Sequence, residues 1–201
     1  MKKGLLIGLG IFGVVVILAI ILISWGVGIY NNLVGLNENV NKSWSQVENV
    51  YQRRADLIPN LVATVKGVAD FEKETFTAVT EARAKVGQIK LSADQLSDPQ
   101  AFQKFQQAQD GLSSALSRLL VVSENYPQLK ANENFLQLQQ QLEGTENRIT
   151  VERMKFNESV QQFNTVIKKF PAVIIANFSG FSEKQYFKAQ EGSDTAPKVQ
   201  F

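Results

Sequence analysis

From Gly4 to Ile23 the chain runs 20 residues without a polar side chain, and from Gly4 to Asn37 it runs 34 without a charge. About 20 apolar residues, rising about 1.5 Å each, cover the ~30 Å hydrocarbon core of a bilayer, so this segment is long enough to span one as a helix. A cleaved signal peptide would carry a shorter apolar region and then a small-x-small site. Here the run continues through Ser24, Trp25, Gly26, Val27, Gly28, Ile29 and Tyr30 with no Ala-x-Ala. The expectation is therefore a retained anchor, with residues 1–29 forming a cytoplasmic stub and a transmembrane helix. Trp25 and Tyr30 suit the aromatic belt at a membrane surface. Lys2 and Lys3 precede the span and only Lys42 follows it closely. The positive-inside rule then puts the N-terminus in the cytoplasm and the bulk domain in the periplasm or exterior. Gly4 and Gly8 form one GxxxG, a pattern that glycine-rich spans show without pairing.

Beyond the anchor the pattern is helical throughout. Apolar or small residues recur at Leu33, Leu36, Val40, Trp44, Val47, Tyr51, Ala55, Ile58, Val62, Val65 and Ala69, which is 36 residues in ten steps. That is the α-helical period of about 3.6 and excludes a strand. Pro59 interrupts it by removing the hydrogen bond to the Ala55 carbonyl, so a kink, or a restart capped by Asp56, is expected there. With no glycine beside it for a reversal, one long kinked helix reaching about Lys85 is the preferred reading. Lys85 to Ser97 reads as a connector, and Asp98 followed by Pro99 as an N-cap with proline at the first helical position. A second helix runs through Phe102, Phe105, Ala108, Leu112, Leu116, Leu119 and Val122 and ends before Tyr126 and Pro127. A third starts near Asn132 and carries its stripe from Phe135 to Phe170 in steps of about 3.5, the spacing of a left-handed bundle. Pro171 stops it. The expected architecture is all-α: a single N-terminal transmembrane helix, then an elongated antiparallel bundle over residues 30–171. An apolar packing segment follows at 172–187 and a disordered tail at 188–201.

Composition narrows the chemistry. The 201 residues include no Cys and no His, which removes thiolate nucleophiles, Cys/His zinc sites and imidazole acid–base catalysis. No catalytic residue, cofactor or metal site is expected. A net charge of +2, without a basic stripe carrying interleaved aromatics, gives no reason to expect nucleic acid as a partner.

The strings YNNLVGLNENVNKSWSQV (30–47), RRADLIPNLVATVKG (53–67), YPQLKANENFLQLQQQLEGTENRI (126–149), FNESVQQFNTVIKKFP (156–171) and SGFSEKQYF (179–187) resemble the LemA family. That resemblance implies a bacterial inner-membrane protein with one N-terminal span and an extended helical bundle. It brings no catalytic residues with it. Members of the family often occur with membrane-bound TPM-domain proteins or heat-shock-type membrane metalloproteases, so such a protein is an implied partner. This sequence departs from the pattern at Gly67, Val68, Ala69 and Asp70, where an aromatic and a histidine are often found.

Two groups of residues stand out as candidate sites. If the second helix is antiparallel to the first and covers it only from about Asn60 to Lys85, then Leu33, Leu36, Val40, Trp44, Val47 and Tyr51 lack an intrachain partner. They would then form a homo-oligomer interface. The same heights bring Arg53, Arg54, Asp56 and Asn60 close to Asn132, Glu133 and Asn134. Caps and surface ion pairs, a buried network closing the end of the bundle, and a ligand site are all open readings of that cluster. Glu146, Asn147 and Arg148 also flank the stripe of the third helix. The functions in view are a membrane-anchored, self-associating scaffold at the cell envelope and an adaptor presenting partners to a membrane protease or other envelope complex. An enzyme holding Mg²⁺ or Ca²⁺ on carboxylates such as Asp56 and Glu133 is the third, without an EF-hand loop to support it.

Overall fold

The structure is a computed structural model that describes residues 2–67 and 73–189. The regular elements among them are all helical: α1 (Lys2–Lys66), α2 (Lys73–Gln88), α3 (Pro99–Ser123), α4 (Pro127–Lys130), α5 (Glu133–Lys168) and α6 (Ala172–Phe178), with a 3-10 turn at Ala93–Ser97. The fold class is the expected one, and α1 is a single helix of 65 residues running from the apolar segment into the bundle. Leu9, Leu18, Ile23 and their apolar neighbours in its first half stand exposed, and α1 is long and apolar enough to cross a membrane.

From Leu33 onward one face of α1 is buried, and its spacing corrects the sequence reading. Besides Val50, the buried positions are Leu33, Val40, Val47, Arg54 and Leu61, with Trp44, Tyr51, Ile58 and Val65 between them. These are two sets seven residues apart, so the period is about 3.5 rather than 3.6, and the stripe includes Arg54 where Ala55 had been expected. Ala55 and Val62 are only half-buried. On α5, Phe135, Leu142, Ile149, Phe156 and Phe163 repeat at the same seven-residue interval. Facing seams of this spacing let helices pack side by side with a small crossing angle.

Helix α1 does not continue to Lys85. It ends at Lys66, Gly67 lies in a turn, and α2 returns antiparallel along α1: Lys66 Nζ sits 4.6 Å from the Phe76 ring centroid, and Arg83 reaches Ala55. Glycine after a basic last turn is a helix stop that the continuing apolar period disguised. Residues 68–72, and with them Ala69 and most of the departure from the family pattern, lie outside the described residues. Pro59 does not break α1. Its side chain is exposed while its neighbours Ile58 and Leu61 are buried. The carbonyl that Pro59 deprives of a partner, Ala55 O, accepts a bond from Arg83 Nε at 3.3 Å.

Because α2 folds back, α3 runs parallel to α1, and the antiparallel partner along the first half of the domain is α5. Ser43 and Ser159 share a hydroxyl hydrogen bond of 2.7 Å, and Arg54 reaches Glu146. The start of α3 falls where expected: Asp98 accepts from the N–H groups of Gln100 and Ala101, with Pro99 in the first turn. Asn132 caps α5 by accepting from Phe135 N at 3.1 Å. The segment after Pro171 forms α6 and then an extended strap, 181–189. Three amides clamp the strap by both donating to and accepting from one backbone residue: Asn164 on Lys184, Asn157 on Phe187 and Gln106 on Lys188. Of the tail expected to be disordered, Lys188 is thus held to α3, and residues 190–201 lie outside the described residues.

Candidate functional site

The bundle has two apolar cores. One, towards the apolar N-terminal half of α1, gathers Trp44 with Phe102, Phe105, Phe156 and Phe187, whose ring centroids lie 5.3 to 6.2 Å from that of Trp44. The other, at the far end, joins Ile58, Leu61 and Val65 to Leu112, Leu116, Phe135 and Leu142. Between them, at the level of Arg54, lies a polar layer.

Arg54 is 1% exposed and carries that layer. Its Nη1 donates to Ser113 Oγ at 2.6 Å and to Glu146 Oε1 at 2.8 Å, while Nη2 donates to the side-chain and backbone oxygens of Gln109. Ser113 donates to the second oxygen of Glu146 at 3.3 Å. The guanidinium also sits 5.1 Å from the Tyr51 ring centroid. Two turns further along α5 towards the apolar half of α1, Arg153 pairs with Asp110 at 3.0 Å and lies 4.4 Å from the centre of the Phe187 ring. Tyr51 Oη, Arg54 Nε and Arg153 Nε are buried without a hydrogen-bond partner among the described residues. Burial, the largest influence, pushes the Tyr51 hydroxyl up to about 12, against the pull of Arg153 and Arg54. Burial likewise raises the Glu48 carboxyl and lowers the Lys184 ammonium from their usual values.

The expected cluster at the bundle end does not form as one unit. Arg54 belongs to the middle layer, and its acidic partner is Glu146, a residue noted in the sequence only as flanking a stripe. Arg53 is exposed over a shallow groove with Gln140, Gly144 and Arg148. Asp56 is exposed and accepts from Gln52 at 2.7 Å. Asn60 and Asn134 do line one small groove together, while Asn132 is occupied as a cap and Glu133 stands exposed in the first turn of α5. These residues scatter because α5, not α3, is the antiparallel neighbour of α1.

The expected oligomer interface fails for the same reason. Leu33, Val40, Trp44, Val47 and Tyr51 are buried, and Leu36 is half-buried, under α5, α3 and the strap of the same chain. The 36 residues of α5 supply the partner of comparable length that the sequence reading had withheld.

Chemically, the layer is a set of donors and acceptors that largely pair with one another; its one hydroxyl–carboxylate contact, Ser113 on Glu146, is to a carboxylate that Arg54 already holds. No group of three or more His, Cys, Asp or Glu side chains among the described residues is placed to hold a metal ion. A cleft of about 520 Å³ opens between α1 and α2, lined by Glu48, Gln52, Asp56, Arg83, Lys90 and Gln109 among others. An arginine at a core position of the seam fixes register, since sliding α5 by one turn would strand the guanidinium away from Glu146.

Comparison with known proteins adds the following. A family model described as LemA family matches residues 43–201. The magnetosome protein MamQ of Magnetospirillum gryphiswaldense is 29% identical over 182 residues, covering 83% of this chain and 67% of that one. Magnetosome protein MamQ 2 of Paramagnetospirillum magneticum is 28% identical over the same shares. Protein LemA of Metamycoplasma hominis is 24% identical over 165 residues, 82% of this chain and 71% of that protein.

Proposed function

Since this chain belongs to the LemA family, we propose that it is a membrane-anchored, non-enzymatic helical scaffold that self-associates at the bacterial cell envelope. The observation that carries this reading is the continuity of α1, a single 65-residue helix. A helix that leaves the bilayer and becomes the central strut of the bundle holds that bundle at a set height and angle, which suits a support better than a tethered enzyme. The names of the relatives, magnetosome protein and Protein LemA, state no reaction and agree with this. In our reading the N-terminus is cytoplasmic and the bundle lies outside the inner membrane, as the Lys2 and Lys3 flank favours. The surface for self-association is the outward face of α5, where Leu136, Val151 and Met154 are exposed. A common anchor keeps neighbouring copies parallel.

The test is the mass of the full-length protein in mild detergent by light scattering. An oligomer that Met154→Glu combined with Val151→Glu dissociates, without loss of helix, supports the scaffold. A monomer in the unmutated protein overturns self-association and leaves the adaptor reading, in which the same face docks a TPM-domain protein or membrane metalloprotease. Protease added to spheroplasts should digest the bundle; protection until lysis would reverse the orientation.

A further inference from the structure

Helix α6 and the residue before its proline display a second apolar surface at the opposite end of the molecule from α4. Phe170, Ile174 and Phe178 recur every four residues and are 79%, 57% and 94% exposed. The other face of α6 is packed: Ala172 and Ala176 are buried, and Ile175 lies half-buried against α1 and α5. Exposed phenylalanines grouped this closely are an unfavourable patch in water.

Their height on α1 says what covers them. The register set by Ser43 with Ser159 and by Arg54 with Glu146 brings the end of α5 level with about Leu33, so the chain then descends towards the anchor. It reaches Gly26: a side chain there would come within 3.9 Å of Ile175 Cδ1. The strap climbs again past Tyr30, whose ring lies 6.0 Å from that of Phe181. Gly26 immediately follows Trp25, at the end of a run that spends about 20 residues crossing hydrocarbon from Gly4. The patch is therefore held at the level where α1 leaves the bilayer. Lys168 and Lys169 stand exposed beside it, with Lys168 paired to Glu183 at 2.7 Å.

We propose that α6 is a membrane foot: Phe170, Ile174 and Phe178 insert into the headgroup and upper acyl region of the leaflet from which α1 emerges, with the adjacent lysines facing anionic headgroups. Two contacts with the bilayer, one spanning and one interfacial, restrain the bundle against tilting about α1. The occupant is lipid, not a second protein, because the face sits at membrane height on the same rigid unit as the span. This rests on α1 crossing the bilayer, as the proposed function also requires.

The chain has no cysteine, so single substitutions accept a nitroxide label uniquely. Leu18→Cys, Phe178→Cys, Ile174→Cys and, at the far end of α3, Val121→Cys would each be labelled in the full-length protein. Each is placed at one copy per nanodisc of phosphatidylethanolamine and phosphatidylglycerol. Collision of the label with oxygen, which partitions into lipid, is compared with collision with a water-soluble nickel chelate. The oxygen-to-nickel ratio at 174 and 178 should exceed that at 121 severalfold and approach that at 18. A ratio at 178 equal to that at 121, with 18 still lipid-exposed, overturns the foot and leaves the anchor standing. Low collision with both agents at 178 means protein covers the face and also overturns it. A water-exposed label at 18 removes the anchor and the foot together. Phe178 is almost fully exposed, so its replacement should leave the bundle folded, which circular dichroism checks.

Discussion

Removing Glu146 should destabilise the bundle more than removing Arg54, although the two form one ion pair of 2.8 Å. The asymmetry lies in their surroundings: the Arg54 side chain is 1% exposed and the Glu146 side chain 37%. Glu146→Ala leaves a guanidinium between two apolar cores with only neutral acceptors from Gln109 and Ser113. An uncompensated buried charge of this kind costs about 3–5 kcal/mol. Arg54→Met replaces the cation with an apolar chain of similar length, and the carboxylate left behind keeps access to water. The loss is then confined to the Gln109 oxygens left without a donor, about 1–2 kcal/mol, because Ser113 keeps its bond to Glu146. For a folded body of this size about 1 kcal/mol shifts the midpoint by roughly 3 °C. Glu146→Ala should therefore melt ~10–15 °C below the parent and Arg54→Met ~3–6 °C below it, with the double variant close to Arg54→Met. Thermal unfolding in mild detergent, followed by circular dichroism at 222 nm, reads all three. An Arg54→Met protein less stable than Glu146→Ala would refute the claim that the layer's energetics turn on a stranded arginine.

Three other perturbations have defined outcomes. Tyr51 should hold its proton to about 12 in the folded state, whereas the unfolded chain releases it near pH 10. Stability from this group is therefore complete below about pH 10 and lost as pH rises towards 12, so Tyr51→Phe should abolish one proton's worth of alkaline destabilisation. The change should be neutral or stabilising at pH 7, as denaturant titrations across pH can show. Val40→Glu with Val47→Glu places two charges in a sealed core and should abolish cooperative unfolding of the bundle, each costing several kcal/mol; a variant that melts like the parent would mean α5 does not cover α1. Arg83→Gln should cost about 1 kcal/mol in the parent and less in a Pro59→Ala background, where residue 59 again offers an N–H to the Ala55 carbonyl. Equal losses in a double-mutant cycle would show that Arg83 does not compensate for the proline.

Helix boundaries that depend on local chemistry were legible in the sequence: Asp98 with Pro99, Asn132 and Pro171 mark the helix ends expected of them, and the charge-free run is helical and long enough to cross a membrane. What escaped was long-range pairing. A period of 3.6 and one of 3.5 differ by one residue in about 36, enough to select Ala55 over Arg54 as the buried position and so to hide the charge that α1 brings to the seam. The reversal at Gly67 was masked because the apolar positions of α2 continue at helical spacing, and periodicity does not distinguish a helix that goes on from one that turns back. From that single error followed both misplaced sites: the oligomer stripe, which α5 covers, and the charged cluster, which scatters along the bundle. Glu146 lies beside the stripe rather than on it, and only the fold reveals its partner.

A bundle held at a set height requires α1 to pass unbroken from the bilayer into it. Spin labels at Leu18→Cys and Ser45→Cys, in full-length protein diluted with unlabelled copies in nanodiscs, measure it by pulsed dipolar spectroscopy. A continuous helix over these 27 residue steps should give a narrow distance distribution centred near about 40 Å. A broad distribution, or one centred well below this, would mean that the helix breaks at the membrane surface and the bundle is tethered rather than held.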